Sequence, residues 1–310
     1  MHKLLLIACL FLTCNADIQM TQRSKVMMGT FVSVSVERGH KELIKQSFEI
    51  IKGVESSLSS YKKTSPIAKL NKNKEADLDA YSYESLKLSL QYYNETGGYF
   101  DIAVGKITKD LYHFGEKERV ASSKELQKSS TSIGGLVFDK STAYINNTIK
   151  IDLGGMGKGF GVDKVSAFLV KNSVKKAVIA LSGDIRCIGT CKIAVNNPLD
   201  ANQPLALFTM NNSGVSTSGN YNRYIKSPKY NHLINPKTKQ SEQNFFSVTL
   251  VSNLPSATLD AYATAVSVMP VKKAYAFLNS QPLAYIILQA DKKLIVSQNI
   301  IHYISDLKLK

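Results

Sequence analysis

The chain has 310 residues, 44% hydrophobic and 20% charged, an ordinary globular mixture that excludes a disordered chain, a collagen-like repeat or a coiled-coil fibre. With 39 Lys and Arg against 24 Asp and Glu the net charge is +15, which favours anionic partners such as nucleotides, nucleic acid or an acidic membrane face. Four Cys and five His leave little room for a zinc cluster.

Met1-His2-Lys3 is a short basic start, and residues 4–13 are apolar except at their end. An apolar run of ~10 residues is too short to span a bilayer and suits a signal peptide. Small residues at Cys14-Asn15-Ala16 place cleavage after Ala16 and predict an exported, periplasmic protein; acylation at Cys14, giving an inner-membrane lipid anchor, is a second reading. A buried first strand or helix is the plainer alternative.

Residues 31–36 alternate with period two and predict a strand, and residues 41–58 carry a helical stripe of Leu43, Ile44, Phe48, Ile51 and Val54. Residues 59–73 are polar and basic and read as a loop. A helix over 83–96 ends at Gly97-Gly98, and 116–130, rich in Lys, Glu and Ser, reads as a mobile surface segment. Residues 148–153 read as a strand running into a glycine cluster, with a helix over 162–170 and a strand over 177–181. Residues 186–195 predict a hairpin turning at Gly189, across which Cys187 and Cys191 either form a disulfide or stand as small apolar residues on paired strands. Strands over 205–210 and 246–251, a helix over 260–269 and a hairpin of 284–289 with 293–296 close the chain. Helices and strands mix without a strict βαβ rhythm, so the expected class is α+β: a single domain over 17–310 with a substantial antiparallel sheet and packed helices.

Four stretches carry chemistry. In Asp152-Leu153-Gly154-Gly155-Met156-Gly157-Lys158-Gly159-Phe160-Gly161 the glycines permit positive φ and close backbone approach, the following helix offers free N–H groups, and Lys158 adds a point charge. This suits phosphate, yet it matches neither a P-loop nor a dinucleotide fingerprint, and a closely packed strand–helix turn has the same spacing. Asp260 and Thr264 lie one helical turn apart, a hard-oxygen pair suited to Mg²⁺; a helix-start aspartate with a back-bonded threonine reads the same way. His232 is a candidate general base or an ordinary histidine, and 215–221 is a polar pocket wall or a turn.

In order along the chain, Met28-Gly29-Thr30, Ser60-Tyr61, Gly97-Gly98-Tyr99-Phe100-Asp101, the 152–163 block, Leu181-Ser182-Gly183-Asp184, Asn197-Pro198, Thr217-Ser218-Gly219-Asn220-Tyr221, His232-Leu233-Ile234 and Asp260-Ala261-Tyr262-Ala263-Thr264-Ala265 resemble the motifs of the ApbE family, the FAD:protein FMN transferases. The resemblance implies an FAD site lined by Met28, Tyr61, Tyr99, Phe100, Asp101, Asp152, Lys158 and Ile234. It implies Mg²⁺ held by Asp260 and Thr264 with backbone oxygens of Gly155 and Ala263, and catalytic roles for His232 as base and for Asp260. The implied reaction moves FMN from FAD to a threonine hydroxyl of an acceptor flavoprotein carrying a Ser/Thr-Gly-Ala-Thr-type segment, such as a subunit of a membrane redox complex, and releases AMP. Where the family continues from its histidine with D-P-x-T-G, this chain has Asn235-Pro236-Lys237-Thr238-Lys239, and Gly157 stands where the family usually has Ala. An Mg²⁺-dependent FAD pyrophosphatase or a flavin-binding protein would use the same residues. A nucleic-acid binder fits poorly, because the lysines are dispersed and the leader points to export.

Overall fold

The computed structural model describes residues 19–221 and 223–310. The leader, its cleavage after Ala16 and the Cys14 reading lie outside them. Among the described residues no helix is long and apolar enough to cross a membrane.

Strands β1 (Met20–Met27) and β2 (Thr30–Glu37) form the first hairpin, and α1 (Leu43–Leu58), α2 (Pro66–Asn73), β3 (Glu75–Asp77) and α3 (Ala80–Glu95) follow. A π-helical turn (Lys106–Leu111), α4 (Ser123–Lys128), β4 (Leu136–Phe138) and β5 (Thr142–Ile145) lead to the glycine cluster. Beyond it come α5 (Gly157–Lys171), β6 (Ala177–Leu181), β7 (Asp184–Ile188), β8 (Thr190–Asn196), β9 (Pro204–Asn211), β10 (Gly214–Gly219) and β11 (Phe245–Ser252). The chain ends with α6 (Ser256–Val268), α7 (Val271–Asn279), β12 (Ala284–Gln289), β13 (Leu294–Val296) and β14 (Ile304–Leu309).

Eight strands form the main sheet in the order β1-β2-β6-β7-β10-β11-β12-β13, and every pairing in it is antiparallel. Alternation explains its two faces. On one face Val32, Val34, Ile179 and Leu181 pack against α1 and α5, and Val248 and Leu250 share a core with α6. On the other face Val215, Val251 and Ile286 meet the β14-β9-β8 sheet. Each fully buried aliphatic side chain contributes roughly 1.5–3 kcal/mol, so this sandwich fixes the register. The α+β expectation with a dominant antiparallel sheet holds.

Several local expectations do not. Residues 59–73 are not all loop: the Ser65 hydroxyl accepts from Ala68 N at 2.9 Å, Pro66 starts α2, and Ile67 and Leu70 are buried. Within 116–130, Ser122 and Glu125 form a capping box on α4 and Leu126 is buried, so the segment has a folded centre. Residues 148–153 form no ladder strand. They run extended, held by the Asn71 side chain, which brackets Ile151 at 2.6 and 2.8 Å, and by Asp152 N donating to Ile102 O at 2.7 Å. The 186–195 hairpin is instead a change of sheet: at Gly189 (φ +71°) the chain leaves β7 in the main sheet and enters β8, which pairs with β9. The β12–β13 hairpin does not close the chain, because β14 returns to pair with β9. Of residues 215–221, read as pocket wall or turn, 215–219 belong to strand β10.

Cys187 and Cys191 are joined in a disulfide across that change of sheet, with Cα atoms 6.2 Å apart. Its loop is short, so reduction is expected to lower stability by only about 2 kcal/mol. Urea midpoints with and without reductant check this; a loss of twice that size would mean the bridge holds the two sheets together rather than one turn.

Helices α5 and α6 cross very closely. A Cβ at Gly159 would overlap the Ser256 carbonyl oxygen and lie 2.8 Å from Ala257 N. Asp163 of α5 reinforces the crossing by accepting from Ser256 N (2.7 Å) and Ala257 N (2.9 Å), capping α6 from outside. None of the glycines in 154–161 has positive φ, and Gly159 acts by this close approach.

Candidate functional site

The α5–α6 crossing sets Lys158 against Asp260. The Lys158 ammonium lies 3.2 Å from both Asp260 oxygens and 2.8 Å from Asp184 Oδ2. Asp260 also accepts from Gly159 N at 3.1 Å, and Asp184 accepts the Ser216 hydroxyl at 2.6 Å. The first turn of α5 thus already faces a carboxylate of its own chain, and Lys158 is engaged rather than free for phosphate. Burial and the neighbouring Asp184 hold the Asp260 carboxyl above its usual range, against the pull of Lys158 and Gly159 N. Burial would lower the Lys158 ammonium, but Asp184 and Asp260 raise it above its ordinary value.

One turn along α6, the Thr264 hydroxyl donates to Gly155 O at 3.2 Å. Asp260 carboxylate, Thr264 hydroxyl and Gly155 carbonyl form a hard-oxygen set that fits Mg²⁺, which takes one or two carboxylates and leaves positions for water and substrate phosphates. No group of three or more His, Cys, Asp or Glu suited to a metal occurs among the described residues. Ala263 does not join the set: its carbonyl accepts the Ser267 hydroxyl at 2.7 Å inside α6.

Asp152 anchors a second cluster. It accepts from Thr108 Oγ1 (2.6 Å) and Gly154 N (3.0 Å) and pairs with Lys109 at 3.2 Å. Burial pushes this carboxyl up, but Lys109, Thr108 and Gly154 pull it below its ordinary value, so it is ionised. Lys109 also donates to the Tyr61 hydroxyl at 2.6 Å. Met28, at φ +51°, donates its N–H to Glu55 at 2.9 Å and lays its side chain beside Gly157 and Gly161.

His232 is half-buried, and its Nδ1 lies 3.1 Å from Arg223 O. A carbonyl only accepts, so Nδ1 carries the proton, and Nε2, without a hydrogen-bond partner among the described residues, keeps its lone pair, the tautomer a general base needs. Burial, then the Arg223 guanidinium and Lys158, lower the ring to about 4, with Asp152 opposing. The ring is therefore neutral at physiological pH. The acid limb of activity should have its midpoint near 4 rather than 6.5, and Arg223→Met should move it upward; a pH–rate profile of both proteins checks this. The sign for stability follows: between pH 6.5 and about 4 the unfolded chain binds the proton first, so the stability held above pH 6.5 is lost as pH falls through that window.

The remaining expected residues sit in the walls. Phe100 packs edge-on against Tyr92 and adjoins Gly155, and Tyr99 lies between Lys237 and Lys273, each 4.9 Å from its ring centre. Both Asp101 oxygens are taken by backbone amides, Ala103 N at 2.8 Å and Ile133 N at 3.1 Å, and burial raises its carboxyl to about 7. Ile234 is buried with Ile107, Tyr112 and Phe114. The departure at Asn235 leaves the turn intact: Oδ1 accepts from Lys237 N at 2.9 Å as an Asp would, and Nδ2 donates to Glu242 and Val268 O, which an Asp would not do. Lys239 stands at φ +62°, where the family's Gly is at ease. Asp184, Ser216, Thr108, Lys109 and Arg223 were not expected as site residues; Asp184 carried a signal as the last residue of a family motif, and Ser216 as part of the hydroxyl-rich 215–221 stretch.

Residues 28–287 match the profile of the ApbE family. The chain is 28% identical over 242 residues to a FAD:protein FMN transferase of Buchnera aphidicola subsp. Schizaphis graminum, covering 71% of each chain. It is 25% identical over 285 residues to the FAD:protein FMN transferase of Haemophilus influenzae, covering 84% of this chain and 81% of that one. The fold superposes on the ApbE protein of Thermotoga maritima with a TM-score of 0.84 at 24% identity, covering 92% of this chain and 99% of that one. The flavin transferase ApbE of Vibrio cholerae gives a TM-score of 0.81 at 22% identity, with the same coverage.

Proposed function

The chain belongs to the ApbE family, and we propose that it transfers the FMN moiety of FAD to a threonine hydroxyl of an acceptor flavoprotein, releasing AMP. The observation that carries the reading is the Thr264 hydroxyl on Gly155 O one helical turn from Asp260, together with a His232 ring whose Nδ1 is held by Arg223 O and which feels the charges of Lys158 and Asp152.

In this reading Asp260, Thr264 and Gly155 hold Mg²⁺, which when bound supplies positive charge against the FAD pyrophosphate. His232 Nε2 takes the proton of the acceptor threonine. The threonine oxygen bonds to the FMN phosphorus as the bond from that phosphorus to the AMP oxygen breaks, and AMP leaves. Lys158 pairs with both Asp184 and Asp260 and fixes the two carboxylates in place. Met28, Tyr61 and Asp152 line the flavin side, with Tyr99, Phe100, Asp101 and Ile234 shaping the wall behind them.

The acceptor of this proposal is a protein with a Ser/Thr-Gly-Ala-Thr-type segment, such as a subunit of a membrane redox complex. Residues 17–310 act as one exported domain, periplasmic and anchored to the inner membrane where Cys14 is acylated. The Cys187–Cys191 disulfide supports an oxidising compartment. The test is AMP release from FAD with and without acceptor. AMP formed only with the acceptor, one per modified threonine, supports the transferase; equal AMP and free FMN without acceptor would make the protein a pyrophosphatase.

A further inference from the structure

Thr108 and Lys109 are consecutive, yet both reach the same oxygen of Asp152, at 2.6 and 3.2 Å. The π-helical turn over Lys106–Leu111 makes this reach available, with Tyr112 N donating to Ile107 O five residues back at 2.9 Å. Such turns are frequent at functional sites. Lys109 then continues to Tyr61, whose hydroxyl is fully used: it donates to Phe114 O (2.6 Å), accepts from Lys109 (2.6 Å) and is approached by an Arg223 nitrogen at 3.4 Å. The Lys109 ammonium also stands 4.1 Å from the Tyr61 ring centre. Gly115, at φ +85°, leaves the space: a Cβ there would lie 3.2 Å from the Tyr61 oxygen and 3.3 Å from the Arg223 nitrogen. Arg223 in turn holds His232 through its carbonyl.

We propose that Lys109 is a positioning residue of the FAD site, which together with Arg223 clamps the Tyr61 hydroxyl so that this ring stands as a preformed wall tied to Asp152 and, through Arg223, to His232. The inference rests on the flavin-transferase reading. Such a clamp would hold the Tyr61 ring, 44% exposed on a polar loop, in place before ligand arrives and so spare the cost of ordering it. Burial would lower the Lys109 ammonium, but Asp152 and Tyr61 raise it above its ordinary value, so the clamp keeps its charge.

The experiment is FAD binding by flavin fluorescence, with steady-state transfer beside it and thermal unfolding as the fold control. Lys109→Met, which removes the charge-assisted bond to Tyr61 and the pair with Asp152, should weaken FAD binding at least about 10-fold and raise KM far more than it lowers kcat. Lys109→Gln, which keeps a donor but no charge and guards against a misfolded Met variant, should fall between, and Lys109→Arg should recover to within about 3-fold. In a Tyr61→Phe background Lys109→Met should cost less than about 2-fold more, because the clamped oxygen is already gone. Unchanged binding in folded Lys109→Met and Lys109→Gln, or an undiminished loss in the Tyr61→Phe background, overturns the clamp while leaving the transferase. Failure of the unsubstituted protein to bind FAD overturns both.

Discussion

Asp260→Asn is expected to reduce FMN transfer on the order of 10³-fold while leaving the fold almost as stable as before. The two halves of that expectation have different causes. The amide oxygen of Asn keeps an acceptor for Gly159 N, and Lys158 keeps its shorter pair to Asp184 at 2.8 Å. Removing one of two neighbouring buried carboxylates also relieves the repulsion that, with burial, holds Asp260 above its usual range. Stability should therefore change by no more than about 1 kcal/mol. What is lost is the carboxylate of the Asp260–Thr264–Gly155 oxygen set, the one that in the proposed function would hold Mg²⁺. Lys158→Met is the contrast: it strands Asp184 and Asp260 without their cation and should cost about 3–5 kcal/mol of stability. Denaturation curves and kcat of the two variants separate these effects. An Asp260→Asn protein that is active would remove the carboxylate from the chemistry.

Gly159→Ala should be the most damaging small substitution at the site. Its Cβ would sit 2.6 Å from the Ser256 carbonyl carbon and 2.8 Å from Ala257 N, which are backbone atoms and cannot rotate aside. The only relief is to part α5 from α6, which also parts Lys158 from Asp260 and loosens the Asp163 cap. Overpacking of this kind costs about 3 kcal/mol or more, so a large fall in thermal midpoint and a loss of activity should come together. Two residues earlier on the same helix, Gly157→Ala meets nothing closer than the Met28 methyl at 3.8 Å. It should be neutral or stabilising by about 0.5–1 kcal/mol, the usual gain of Ala over Gly inside a helix. Thermal unfolding of the pair is the check; similar midpoints would mean the α5–α6 crossing is not set by Gly159.

Where hydrophobic spacing is strong, the elements were legible. Residues 31–36 alternate because one face of β2 packs on helices, 177–181 and 246–251 stand out as apolar runs that become the buried strands β6 and β11, and 41–58 shows a stripe because α1 buries one side. Strand β1 left no such trace: it is an edge strand exposed at most positions, so no face imposes a pattern. Helix α2 hid in a basic stretch because only Ile67 and Leu70 anchor it, and β7 and β8 looked like a hairpin because a sheet change at Gly189 has the same local signal. For the site, Asp152, Lys158, His232, Asp260 and Thr264 were visible as motif residues. Their pairing was not, since Asp184 reaches Lys158 through strand order and Lys109 reaches Tyr61 through a π-helical turn. Within the glycine spacing at 154–161, Gly159 leaves the room that the crossing of α5 and α6 needs, which the sequence alone did not show.

The most direct test of the whole account is the intact mass of an acceptor domain bearing a Ser/Thr-Gly-Ala-Thr-type segment, after incubation with a chain beginning at Asp17, FAD and Mg²⁺, with EDTA in a parallel sample. The account predicts a gain of one FMN less one water, absent with EDTA and absent when the acceptor threonine is replaced by alanine. An unmodified acceptor beside free FMN and AMP, or beside intact FAD, would contradict it.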